Sequence, residues 1–95
     1  MKELPIPPIA AADNDAMEIA RVWIAQKNVQ VILASQIWED TAAWGLLLVD
    51  LAKHIANAFE QTRGEEYQSV LQRIREGFDA EWATATSQVT GGLME

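Results

Sequence analysis

Apolar residues at helical spacing dominate the middle of this chain, over residues 40–62. Two stripes run side by side, one of large residues and one of small residues, each with members three or four positions apart. The large stripe consists of Trp44, Leu47, Leu48, Leu51, Ile55 and Phe59, and the small stripe of Gly45, Val49, Ala52 and Ala56. A helix that is apolar over so much of its circumference must be covered from two sides. We therefore predict a central helix here, with Leu51 and Ile55 buried.

A second helix is predicted over residues 65–82. Its apolar residues lie three or four positions apart on one face, and polar residues occupy the opposite face. Arg63 and Gly64 precede it, a basic residue and a glycine that are typical of the C-terminus of a helix. Glu65 and Glu66 then begin the new helix.

A third helix is predicted over residues 14–26. Asp13, Asn14 and Asp15 all favour the N-cap position, and Asp15 has capping-box spacing to Glu18. The alternative for this segment is a strand at 21–25, followed by a hairpin turn at 26–28. The capping residues upstream favour the helix.

Residues 29–35 have the alternating, β-branched pattern of a strand. A lone strand cannot satisfy its own backbone groups, so it needs a partner. The partner is the N-terminal arm, the short segment 36–38, or a second copy of the chain. Because three prolines leave the arm few hydrogen-bond donors, we expect a homodimer. The candidate interface residues are Val31, Ile32, Leu33 and Trp38.

These elements predict an α+β fold that is mainly α, with three helices (14–26, 40–62 and 65–82) arranged around the central one and a single short strand. The globular domain extends over residues 13–83. A proline-rich extended arm precedes it at 1–12, and a flexible tail follows at 84–95.

Charge and composition exclude several classes of function. The chain has 95 residues, a net charge of −7 and seven scattered basic residues, which disfavours nucleic acid and anionic membrane surfaces. It has no cysteine, so thiolate catalysis and disulfides are excluded, and we expect a cytoplasmic protein. No cofactor-binding motif is present, and no segment is apolar for long enough to span a membrane.

Candidate catalytic chemistry is limited to one pair of residues on the central helix. Asp50 lies four positions before His54, the only histidine, and an aspartate at this spacing can orient an imidazole. No nucleophile or oxyanion donor accompanies the pair, so surface neighbours are the favoured interpretation. Glu39, Asp40 and Asp50 match no metal-binding pattern, and we expect no tight transition-metal site.

Four segments together resemble a family of small bacterial proteins, a domain of unknown function. They are the ELPIPP arm at 3–8, RVWIA at 21–25, the strand at 29–33, and the W-x-D…AWG-x-LL-x-DLA-x-HIA helix at 38–56. The family pattern has a histidine in the strand, where this chain has VQVIL. The resemblance implies a bacterial source and no particular activity.

The expected function is that of a non-enzymatic interaction module that associates with itself. The alternative is a small-molecule-binding or enzymatic domain that uses the face carrying Asp50 and His54.

Overall fold

The computed structural model describes residues 1–84 and the backbone of residues 90–94. The chain is α+β and mainly helical, as the sequence predicts. It divides into two units, which we call the sheet unit, residues 1–37 with the strand at 90–94, and the helical unit, residues 38–84.

The sheet unit contains one short helix and three strands. Helix α1 comprises Pro8–Ala12, strand β1 Ala20–Ala25, strand β2 Asn28–Ala34 and strand β3 Thr90–Met94. β1 pairs antiparallel with β2, and β3 pairs parallel with β2, so that β2 is the central strand.

The predicted helix at 14–26 is wrong, and the alternative of a strand followed by a hairpin turn describes this segment. Ala20 pairs with Leu33 and Ala25 with Asn28 across a two-residue turn. Its central residues, Gln26 and Lys27, have φ angles of 53° and 65°, the left-handed conformation that a type I′ turn requires. The expected capping residues have another role, because Asp13 Oδ1 accepts a hydrogen bond from the backbone N–H of Asp15 at 2.9 Å and closes a local turn.

The predicted strand at 29–35 is confirmed within one residue, but the reason for expecting a partner chain is wrong. Both edges of β2 are occupied, one by β1 and the other by β3. Its candidate interface residues, Val31, Ile32 and Leu33, therefore lie in the centre of a sheet. The strand did not need a second copy, because its partner is the segment that was predicted as a helix.

The structure also modifies the two predicted end segments. Residues 1–7 form no regular element, and Pro7 is extended with ψ at 139°, but helix α1 begins immediately after it. Residues 85–89 and 95 of the expected tail lie outside the described residues. Strand β3 lies within the same tail, and its pairing with β2 was not predicted.

The helical unit is a hairpin of two helices, and here the predicted segments are confirmed. Helix α2 comprises Ala42–Arg63 and helix α3 Tyr67–Trp82. The N–H of Ala42 donates to Asp40 Oδ1 at 2.9 Å, so the aspartate satisfies a donor at the start of α2. Gly64 ends α2 with φ at 68°, the left-handed conformation that glycine adopts without strain.

The turn between the helices is held by two glutamates. Glu66 is the N-cap of α3, and its carboxylate accepts a hydrogen bond from the backbone N–H of Ser69 at 2.6 Å. Glu60, in the last turn of α2, accepts a hydrogen bond from the backbone N–H of Tyr67 at 3.2 Å. Hydrogen bonds between Glu66 and Ser69 lower the pKa of the Glu66 carboxyl below its ordinary value.

Candidate functional site

An apolar groove of about 890 Å³ lies between the two helices of the helical unit. The side chains that line it come from the first half of α2 and from most of α3. The apolar residues among them are Trp44, Leu48, Val49, Ala52, Leu71, Ile74, Phe78 and Trp82. Its volume falls in the range of sites that hold a ligand or a partner's side chains.

The two helices are in contact near the connecting turn, which lies at one end of the groove. Ala56 is 0% exposed, and Glu60 reaches the N–H of Tyr67, so the helices touch in that region. Gly45 lies three turns earlier in α2, and a Cβ added there would have no atom within 4 Å. The groove therefore has free space beside α2 where this helix begins, and we call this part of the groove its open end.

Aromatic pairs lie at this open end. The rings of Trp38 and Trp44 meet edge to face, with centroids 4.9 Å apart. On α3, the rings of Phe78 and Trp82 stack with centroids 5.5 Å apart, yet Trp82 remains 80% exposed. Buried aromatic side chains are worth several kcal/mol, so an exposed pair of this size is a strong candidate for a contact surface.

Charged residues of both signs form the rim of the groove. They are two acids, Asp40 and Asp79, and two bases, Lys53 and Arg75. Arg75 Nε lies 3.0 Å from Asp79 Oδ2, an ion pair between positions four apart on α3. The groove rim is therefore neutral, although the chain as a whole carries a net charge of −7.

The large stripe of α2 is only partly covered, and the prediction that Leu51 and Ile55 are buried is wrong. They are 48% and 45% exposed. Ala56, from the small stripe, is the fully buried residue of α2. Helix α3 packs against α2, and small side chains allow the closest approach of two helices, so the large stripe lies to one side of the contact.

The candidate catalytic residues lie apart from the groove. Asp50 and His54 are both exposed on α2, neither lines the groove, and no hydrogen bond joins them in the described part of the chain. No group of three histidine, aspartate or glutamate residues that could hold a metal ion occurs within residues 1–84. No helix described here combines the length and the apolar content that crossing a bilayer requires.

A second groove, of about 670 Å³, lies in the sheet unit between the N-terminal segment and β1. Arg21 on β1 binds Glu3 at 2.8 Å and Glu18 at 3.0 Å. The hydrogen bonds that Arg21 donates to Glu18, and then the charges of Glu18 and Glu3, raise the pKa of this guanidinium above its ordinary value. Arg21 is thus already paired and connects the N-terminal segment to the edge strand.

The apolar residues that line this groove belong to stripes whose helical spacing predicts faces that other parts of the chain cover. Their helical spacing was correctly identified, but spacing alone does not say which stripe the neighbouring helix covers. The number of helices in the sequence indicated an uncovered face. α2 has two apolar stripes, and one long helix follows it. One stripe was therefore bound to lack a covering helix within the helical unit.

The chain belongs to a family described as a domain of unknown function (DUF5076), whose model matches residues 3–86. This confirms the resemblance to such a family. Among solved structures, one from the photosynthetic bacterium Rhodopseudomonas palustrus is 32% identical, with a TM-score of 0.71. The match covers 95% of this chain and 92% of that chain. That protein has been provisionally described as a pyruvate dehydrogenase. No curated protein matches the sequence.

Proposed function

We propose that this domain is a non-enzymatic bacterial interaction module that associates with itself as a homodimer in the cytoplasm. The absence of cysteine suits a reducing compartment, and the similar structure comes from a bacterium.

The observation that carries the proposal is the burial of the side chains. Among the side chains of residues 1–84, Ala34 and Ala56 are buried, and no large apolar side chain is. A folded domain owes its stability to burying large apolar side chains, because this offsets the entropy lost by the ordered chain. A chain that leaves so many of them at its surface is expected to cover them with a partner.

The residues of the alternative proposal do not support catalysis. Asp50 and His54 lie on an exposed helix face outside both grooves. A catalytic pair needs a concave site that binds substrate and excludes water. An interaction surface needs only what the helical unit presents, an apolar patch with a polar rim.

Light scattering coupled to size-exclusion chromatography tests the proposal on the full chain. We expect twice the chain mass of 10.6 kDa at micromolar concentration. The midpoint of thermal unfolding should rise with chain concentration, because mass action favours the folded dimer.

A matched control keeps the test specific. His54→Ala removes the one imidazole from an exposed face, and the mass and the unfolding midpoint should be those of the parent. A single-chain mass at every concentration, in a sample whose circular dichroism shows a folded protein, would contradict self-association.

A further inference from the structure

We infer that a second copy of this chain occupies the apolar groove of the helical unit, so that two helical hairpins form a four-helix bundle. The inference rests on the proposed self-association and adds the surface by which it occurs. We call the groove and its rim the hairpin surface; its exposed apolar members are Leu48, Val49, Phe78 and Trp82.

The exposed apolar area of the hairpin surface is a large part of what a dimer requires. Leu48, Val49 and Phe78 are 49%, 52% and 45% exposed, and Trp82 is 80% exposed. With residue areas near 200 Å², these four leave about 450 Å² accessible, more than half of the roughly 800 Å² that each partner buries in a typical stable interface. The half-buried lining and the polar rim supply the remainder.

The charges of the hairpin surface favour a second copy over a basic or an acidic partner. Its rim contains two acids and two bases, whereas the remaining residues of the helical unit contain seven acids and two bases. A surface that meets its own copy across a two-fold axis must be self-complementary. A neutral rim of mixed sign meets that condition, because each acid can face a base of the other copy.

The helix geometry suits the same partner. Two helices of similar length, joined by a short turn, are half of an up-down four-helix bundle. An isolated pair of helices leaves one face of its apolar surface in water, and a second pair covers it. The exposed Trp82 and Phe78 would then lie in the interior of the bundle, where buried aromatic side chains contribute most.

Two substitutions to glutamate on α2 test the inference in the full chain. Val49→Glu places a carboxylate in the groove, whereas Leu46→Glu makes the same charge change outside it, at a residue that is 70% exposed. We expect Val49→Glu to weaken dimerisation about a hundredfold or more, because each copy would bury an unpaired charge. Leu46→Glu should leave the parent's dimer affinity unchanged.

A second measurement does not depend on a charged variant folding. The chain has no cysteine, so Val49→Cys and Leu46→Cys each provide a single thiol. In the dimer, the thiol at position 49 should react with a labelling reagent at least tenfold more slowly than the thiol at position 46. Dilution below the dissociation constant should abolish the difference.

The outcomes separate this inference from the proposed function. A parent that is a monomer at all concentrations contradicts self-association itself. A dimer that persists in Val49→Glu, or equal labelling at positions 46 and 49, overturns the hairpin surface and leaves self-association in place. The edge strand β1 would then be the next surface to test, with Val22→Pro, because proline removes a backbone donor there.

Discussion

Ala56 offers the sharpest test of how the two helices meet. It is 0% exposed, and it belongs to the small stripe of α2, the element against which α3 packs. Ala56→Leu adds three carbon atoms at a position with no free space around it. Overfilling a close contact of this kind costs about 1–3 kcal/mol of the free energy of unfolding, because side chains or the backbone must shift.

Ala80→Leu is the matched control, since it makes the same chemical change on α3 at an exposed position. Leucine and alanine are both good helix formers, and exposed substitutions usually change stability by within about 0.5 kcal/mol. Urea unfolding, followed by far-ultraviolet circular dichroism at one fixed chain concentration, compares the two. The midpoint of Ala56→Leu should fall below that of the control by on the order of 1 M.

Equal midpoints for the two variants would refute the reasoning. They would show that α2 and α3 do not meet through the small stripe, and the explanation given for the exposed Leu51 and Ile55 would fail with it. A fixed concentration is needed because the stability of a dimer depends on how much protein is present.

Three further predictions concern the turn and the helix that follows it. Gly77→Ala should raise the free energy of unfolding by about 0.5–1 kcal/mol, because glycine weakens a helix interior and an added Cβ would meet nothing within 4 Å. Gly64→Ala should lower it by about 1 kcal/mol, because φ at 68° strains any residue with a Cβ; a gain at position 64 would contradict this assignment. The hydrogen bonds that lower the pKa of Glu66 also stabilise the folded chain. This stabilisation is complete at pH values above the ordinary carboxyl pKa of 4.5, and it is lost as the pH falls through the lower folded-state pKa. Glu66→Gln should therefore have a lower free energy of unfolding than the parent near neutral pH, and the difference should shrink in acid. A difference that persists in acid would show that the Glu66 charge is not its cause.

The two long helices could be predicted because their signals are local. Asp40 lies just before α2, Gly64 lies just after it, and the apolar residues at helical spacing lie between them. Such signals act between residues that are close in sequence, where one chain segment decides its own conformation.

The strand β1 was predicted as a helix because the residues at 13–15 resemble N-caps. Its own sequence, ARVWIA, is too short to separate a helical from a strand period. Pairing with β2 makes this segment a strand, and the turn that permits the pairing contains Gln26 and Lys27. Hairpin turns of this type usually have asparagine or glycine at the two central positions, and neither residue occupies those positions here. The structure contains the turn without its usual sequence signal.

Strand β3 could not be anticipated from composition. Its sequence, TGGLM, has two adjacent glycines, which are depleted in strands. It is held by parallel pairing with β2, and the two helices of the helical unit separate these strands in the chain. A contact between such distant segments leaves no periodic trace in either of them.

The groove between α2 and α3 also depends on contacts between segments, although both helices were predicted correctly. The stripes of α2 showed that it needs cover from two sides, and α3 provides one. Ala56 is buried where the helices meet near the turn, whereas Trp44 and Phe78 line the groove at its other end. The distance between two packed helices depends on the side chains at their contact, and the spacing of apolar residues along the sequence does not specify that distance. The stripes therefore show that an apolar face of α2 is left over, and the structure is needed to show that part of it lines a groove.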